Sequence, residues 1–161
     1  TPEFLIEHAI SPAFRFLPGR MNSRQAVAMM IAIALQESGL KHRRQIRGPA
    51  RGYWQFESTW GGPVALNDVH QKTPRQLAAI CAYLEIPNDE LTLYEAVAWN
   101  DTLACALARL LLWSDPRPLP EIGDKVASWQ YYVSNWKPGA PHPDSWPGLY
   151  AQSLAAIKAT T

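Results

Sequence analysis

At 161 residues the chain is long enough to bury one sizeable core and reads as a single domain over 1–161. With 47% hydrophobic and 18% charged residues it is a folding sequence rather than a disordered one. A net charge of +1 does not imply whole-molecule attraction to nucleic acid, and the densest apolar run, residues 26–35, is too short to span a bilayer.

Phe4, Leu5, His8 and Ala9 stand at helical spacing and predict a short first helix over 2–10, ended by Ser11-Pro12. Leu17-Pro18-Gly19 reads as a turn. Asn22 or Ser23 then caps the main helix, 24–38, and Gly39 ends it. Its apolar positions Val27, Met29, Met30, Ile31, Ile33, Ala34 and Leu35 wrap most of the way round, which marks a central, buried helix. Residues 41–51 form a basic loop with Lys41, Arg43, Arg44, Arg47 and Arg51, either solvated or facing an acidic polymer. Residues 52–60 are dense in aromatics and suit a hairpin fragment or an irregular turn, and Gly61-Gly62-Pro63 breaks regular structure again.

Thr73-Pro74 opens a helix to about Glu85 with Leu77, Ile80, Cys81 and Leu84 on one face, and Pro87-Asn88 stops it. Residues 91–99 and 101–113 give two more helices that meet at Asn100-Asp101, with Leu103, Leu107, Leu110 and Leu111 facing the core. Pro116, Pro118 and Pro120 make a stiff connector. A helix from Gly123-Asp124 to about Asn135 carries Trp129, Tyr131, Tyr132 and Trp136, and after the proline-rich loop 138–147 a last helix runs over 146–158. Strand signal is nearly absent. The expected fold class is all-α, seven to eight helices around a central buried one, α+β at most by a tiny hairpin.

Cys81 and Cys105 lie in apolar helical patterns and read as buried thiols, with a disulfide between neighbouring helices as the alternative. The four histidines are scattered, with neither HExxH nor CxxC, so no metal and no cofactor is expected. The seven tryptophans are core residues or flat faces on which sugars stack. The chain begins at Thr1 rather than Met, which leaves room for an N-terminal piece carrying an export signal or a neighbouring domain.

The residue that draws chemistry is Glu37. A carboxylate at the end of a buried apolar helix is costly unless paired or used, and negative charge is unfavourable at a helix C-terminus. Glycoside cleavage needs an acid held protonated by an apolar setting, which this position offers. After it, Gly52-Tyr53-Trp54-Gln55 looks like one wall of a cleft, with Tyr53 and Trp54 as aromatic faces.

Ala34-Leu35-Gln36-Glu37-Ser38-Gly39-Leu40, followed by Gly52-Tyr53-Trp54-Gln55-Phe56, resembles the lytic transglycosylase and goose-type lysozyme group. That group has a helix ending in Glu-Ser and then a Gly-Leu-Met-Gln segment; here Tyr53-Trp54 stands for Leu-Met. Asn100 before Thr102-Leu103 is similar to an Asn that opens a later helix, and Gln130-Tyr131-Tyr132-Val133-Ser134-Asn135 loosely resembles the group's aromatic-Tyr-Asn segment. The first part also echoes chitinase-type members of the wider lysozyme superfamily.

The resemblance implies a lysozyme-like domain that cleaves the MurNAc-GlcNAc β-1,4 bond of peptidoglycan. Glu37 would be general acid and then base. Ser38 would orient it or a bound sugar, Gln55 would bond substrate, and Tyr132 would bring a hydroxyl to the acid, with Tyr131 as its substitute and Asn135 as a further substrate contact. Goose-type enzymes carry an acid two positions after the glutamine, where Glu57 falls. A second carboxylate about 6.5–9.5 Å from the first could activate water for inverting hydrolysis. With Glu57 turned away, the sugar's own 6-hydroxyl would attack and leave a 1,6-anhydro product. Asp68 and Asp101 are weaker second acids.

The expected partner is therefore the peptidoglycan glycan strand, with no nucleic acid and no membrane span. The expected place of action is the cell wall, periplasmic or extracellular, in a phage lysin, a virion-borne enzyme or a secreted antibacterial effector with an immunity protein. The rival readings are a chitinase-like glycosidase, a non-catalytic lysozyme-like module and, with the basic loop, a nucleic-acid-binding helical domain.

Overall fold

The computed structural model describes residues 1–57 and 66–159. The Gly61-Gly62-Pro63 break and the end of the 52–60 segment lie outside these residues, and the side chain of Asp68 lies outside the described side chains.

The first helical stretch runs further than its sequence signals. Pro2–Leu5 (α1), a π-helical turn over Ile6–Ile10 and Ser11–Phe16 (α2) follow one another without a break. Ser11-Pro12 therefore does not end it. Pro12 brings no N–H for the carbonyl of His8 four residues back, the wider π turn precedes it, and Thr102 Oγ1 donates to that carbonyl from another helix at 3.3 Å. A 3₁₀ turn, Gly19–Met21, then leads to α3, Arg24–Ser38. Ser23 caps it as expected, its Oγ accepting from Ala26 N at 3.1 Å, and Gly39 ends it with φ 59°.

Beyond the basic loop come α4 (Leu66–Lys72), α5 (Pro74–Leu84), α6 (Glu90–Ala96), α7 (Asp101–Trp113), α8 (Lys125–Trp136) and α9 (Trp146–Ala159). With α1 to α2 counted as one rod, the described residues hold eight helices, and the fold is all-α. Of the two readings of the 52–60 segment, its described part follows the irregular turn, with two isolated bridges, Arg44 with Arg51 and Arg51 with Phe56, in place of a hairpin. The helix expected over 91–99 starts at Glu90, under an Asp89 cap, and stops at Ala96. Asn100 Oδ1 caps α7 by accepting from Leu103 N at 2.9 Å, so the Asn100-Asp101 junction is where it was expected.

Two helices are buried on every side. Ala28 to Leu35 of α3 and Leu103 to Leu112 of α7 are continuous runs of buried residues. Helix α9 packs along α3 as the most extensive pair, while α2, α4, α5 and the π turn surround α7. Truncating a fully buried leucine here, such as Leu107→Ala, costs about 2–5 kcal/mol. Cys81 and Cys105 are free, buried thiols, so the disulfide alternative falls away. Among the described residues no helix is long and apolar enough to cross a membrane.

Much of the basic loop is already engaged. Arg43 makes a two-pronged pair with Asp101 at 2.8 and 2.7 Å and stacks on Tyr53. Arg44 pairs with Glu95 at 2.9 Å and lies over Trp99, and Arg51 donates to the carbonyls of Gly48 and Ala50. These arginines fasten the loop to α6 and α7, so they serve the fold before they serve a polymer.

Candidate active site

The last turn of α3 opens on a cleft of about 490 Å³. Glu37 and Gln36 form its floor; Gln45, Gln55 and Glu57 form one side. Tyr132, Trp136 and the loop holding Pro138, Gly139, Ala140 and His142 form the other.

Glu37 is half-buried, and burial pushes its carboxyl up from the ordinary value to about 7. The Tyr132 hydroxyl works against that rise by donating to Oε1 at 2.6 Å, and the charge of Glu57 adds to it. Burial, and then the neighbouring Glu37, hold the Tyr132 phenol well above its ordinary range, so it keeps its proton and remains a donor. Since Tyr132 fills Oε1, the acid proton of Glu37 belongs on Oε2.

Tyr132 is clamped from behind. Its ring stacks on Trp146 of α9 at 4.9 Å and 12°, and Trp129 leans on both rings at 5.3 and 5.6 Å. Trp146 is fixed in turn by its Nε1, which donates to Ser128 Oγ at 3.1 Å. These aromatics aim the phenol; they do not face the cleft.

The opposite side is set by a tight turn. Gly52 has φ 72°, and a Cβ there would lie 2.7 Å from the carbonyl oxygen of Val97, so both conformation and space require glycine. Arg51 and Phe56 exchange backbone hydrogen bonds at 2.7 and 2.8 Å across the turn. Gln55 takes φ 53° and lines the cleft, its amide nitrogen donating to the Gly52 carbonyl at 2.8 Å. Glu57 lines the same cleft, and burial raises its carboxyl as well.

Of the residues expected at the site, Glu37, Gln55, Glu57 and Tyr132 come together; the others do not. Tyr53 and Trp54 are buried at 7% and 0% exposure, which corrects their reading as cleft faces. The turn at Gly52 points both inward, Trp54 Nε1 donating to the Met30 carbonyl at 3.0 Å. Ser38 Oγ donates to the Ala34 carbonyl and accepts from Leu40 N, so it finishes the helix rather than orienting the acid. Tyr131 turns away from Glu37 and donates to the Leu112 carbonyl, so it is not the substitute for Tyr132. Asn135 donates to Asp115 and to the Tyr131 carbonyl, which makes it structural. Asp101 is taken by Arg43, which removes it as a second acid.

Three residues in or behind the cleft were given no site role by the sequence. Gln36 donates to the His142 carbonyl at 3.3 Å and accepts from Ser145 Oγ at 3.0 Å, tying the 138–145 loop to the residue beside Glu37. Trp136 closes the cleft while its Nε1 donates to the Trp54 carbonyl at 3.0 Å. Trp146 supports Tyr132 from an element with no motif. Among the described residues no cluster of histidine, cysteine, aspartate and glutamate could hold a metal ion.

A carboxyl that holds its proton up to about pH 7, sharing one open cleft with a second carboxyl, is equipped for paired proton donation and acceptance. Comparison with protein-family models, with curated proteins and with solved structures found no match.

Proposed function

We propose that this chain is a glycoside-cleaving enzyme, a muramidase in the broad sense, with Glu37 as its catalytic acid. The observation that carries the reading is the Glu37 carboxyl, raised to about 7 by burial and bonded by Tyr132 in a cleft that also holds Glu57. Glu37 gives the proton on Oε2 to the leaving glycosidic oxygen as the bond to the anomeric carbon breaks. Glu57 takes a proton from water, whose oxygen attacks the anomeric carbon from the other face. The products are two sugar chains, one with a new reducing end. Proton exchange with solvent resets both acids. Gln55 and the walls around Trp136 and His142 hold the sugar ring.

The sharing of one cleft by both carboxyls favours hydrolysis over attack by the sugar's own 6-hydroxyl. The substrate class, the glycan of peptidoglycan, and the cell wall as place of action rest on the resemblance of the Glu37 and Gln55 segments. The test is digestion of purified peptidoglycan with the released fragments resolved by mass, native protein beside Glu37→Gln. Reducing-end fragments from the native protein alone are expected. Anhydro ends would replace hydrolysis by transglycosylation, cleavage of chitin oligomers instead would change the substrate, and equal release by both proteins would remove Glu37 from the chemistry.

A further inference from the structure

A second cavity, about 690 Å³, opens at the other end of α3. Ser23 and Gln25 from the start of that helix line it, with Arg109, Leu112 and Trp113 from the end of α7 and the proline connector beyond. Gln25 and Glu37 are twelve residues apart on one helix, roughly 18 Å, so this is a place separate from the cleft.

Arg109 is the unusual residue. It is 2% exposed in an otherwise apolar buried run. Its Nε donates to the Met21 carbonyl at 2.9 Å, while Nη1 is buried without a hydrogen-bond partner. Its guanidinium lies 5.3 Å over the Trp113 ring, and the exposed Arg20 sits 5.3 Å from the same ring. The two acids on the cavity wall do not answer this charge. Asp115 is held by Arg117 at 2.5 Å and by Asn135 at 2.8 Å, and Glu121 is exposed at the rim. A buried, unanswered cation is costly, and guanidinium cannot discharge near neutral pH as an amine can. Ser23 and Gln25 bring the positive N-terminal end of α3 to the same wall.

We propose that this cavity binds an oxyanion, a carboxylate or a phosphate carried on a small molecule, with Arg109 as its buried anchor. Arg20 supplies a further donor, and Leu112, Trp113 and Leu119 provide apolar surface for the body of the ligand. The site is independent of the chemistry proposed for Glu37.

The test titrates the protein with sodium benzoate, inorganic phosphate and sodium chloride at matched ionic strength, following Tm and the Arg109 side-chain Nε–H resonance. Benzoate or phosphate is expected to move that resonance and to raise Tm by about 3–6 °C at ten times the dissociation constant. Stronger benzoate binding identifies an organic acid, and stronger phosphate binding a phosphorylated ligand. Arg109→Met is expected to abolish the Tm rise and Arg20→Gln to weaken binding about tenfold; the exposed Arg20 variant serves should Arg109→Met fail to fold. A chloride response equal to the others, no response to any of them, or full binding in Arg20→Gln together with Arg109→Lys would overturn the proposal.

Discussion

Helix α3 carries a buried charge problem at each end. At its C-terminus Glu37 meets apolar surroundings and the wrong end of the helix dipole; at its N-terminus Arg109 of α7 meets apolar surroundings with no carboxylate beside it. The carboxyl has an escape, because taking up a proton costs little when its pKa is about 7. Burial lowers the Arg109 guanidinium only to about 10, so it stays charged at every ordinary pH. The same burial therefore makes one residue a proton donor and leaves the other waiting for a counter-charge.

The comparison is broken most directly by Glu37→Gln. Cleavage of peptidoglycan is expected to fall about 10²–10⁴-fold, the usual worth of a positioned acid, with the circular dichroism spectrum unchanged. The same variant tests the charge itself. The folded-state pKa of Glu37 lies above the ordinary 4.5, so the native state binds the extra proton and loses stability as pH rises from about 4.5 to about 7. Glu37→Gln escapes that loss: denaturant melts are expected to match native protein at pH 4 and to exceed it by about 3 kcal/mol at pH 8. For Arg109→Met the stability difference from native is expected to stay flat, within about 0.5 kcal/mol, between pH 5 and pH 8, since neither state of the guanidinium titrates there. A slope like that of Glu37 would erase the contrast.

Tyr132→Phe sharpens it. The phenol favours the charged form of Glu37, so its removal is expected to move the alkaline limb of the activity profile up by about one pH unit. The smallest effect belongs to an ion pair: Asp101→Asn weakens the Arg43 pair and is expected to lower stability by about 1 kcal/mol in thermal melts, because Arg43, 41% exposed, is partly hydrated already and regains water when the pair is lost.

What the sequence made legible followed chemistry that is local in the chain. Ser23, Gly39 and Asn100 marked helix ends because caps act over three or four residues. Glu37 stood out because an apolar run led straight to it. Ser11-Pro12 misled because a π turn and a threonine from α7 satisfy what the proline leaves open, and both are tertiary matters. Tyr53 and Trp54 were misplaced because one glycine dihedral decides which way a four-residue turn throws its side chains. Helix α4, with Leu66 and Val69 as its buried residues, carried too short a pattern to read. The 138–145 loop and Arg109 owe their roles to partners more than eighty residues away, and no spacing rule reaches that far.

The stack of Trp146 on Tyr132 bears on the order in which the protein becomes competent. A ribosome releases Glu37 early and α9 last of the helices described here, yet the phenol that engages Glu37 is braced by α9. Until residues 146–159 have emerged and docked along α3, the acid lacks its settled partner. The pairing of Glu37 with Tyr132 is therefore settled only once α9 has docked, however early Glu37 itself is made.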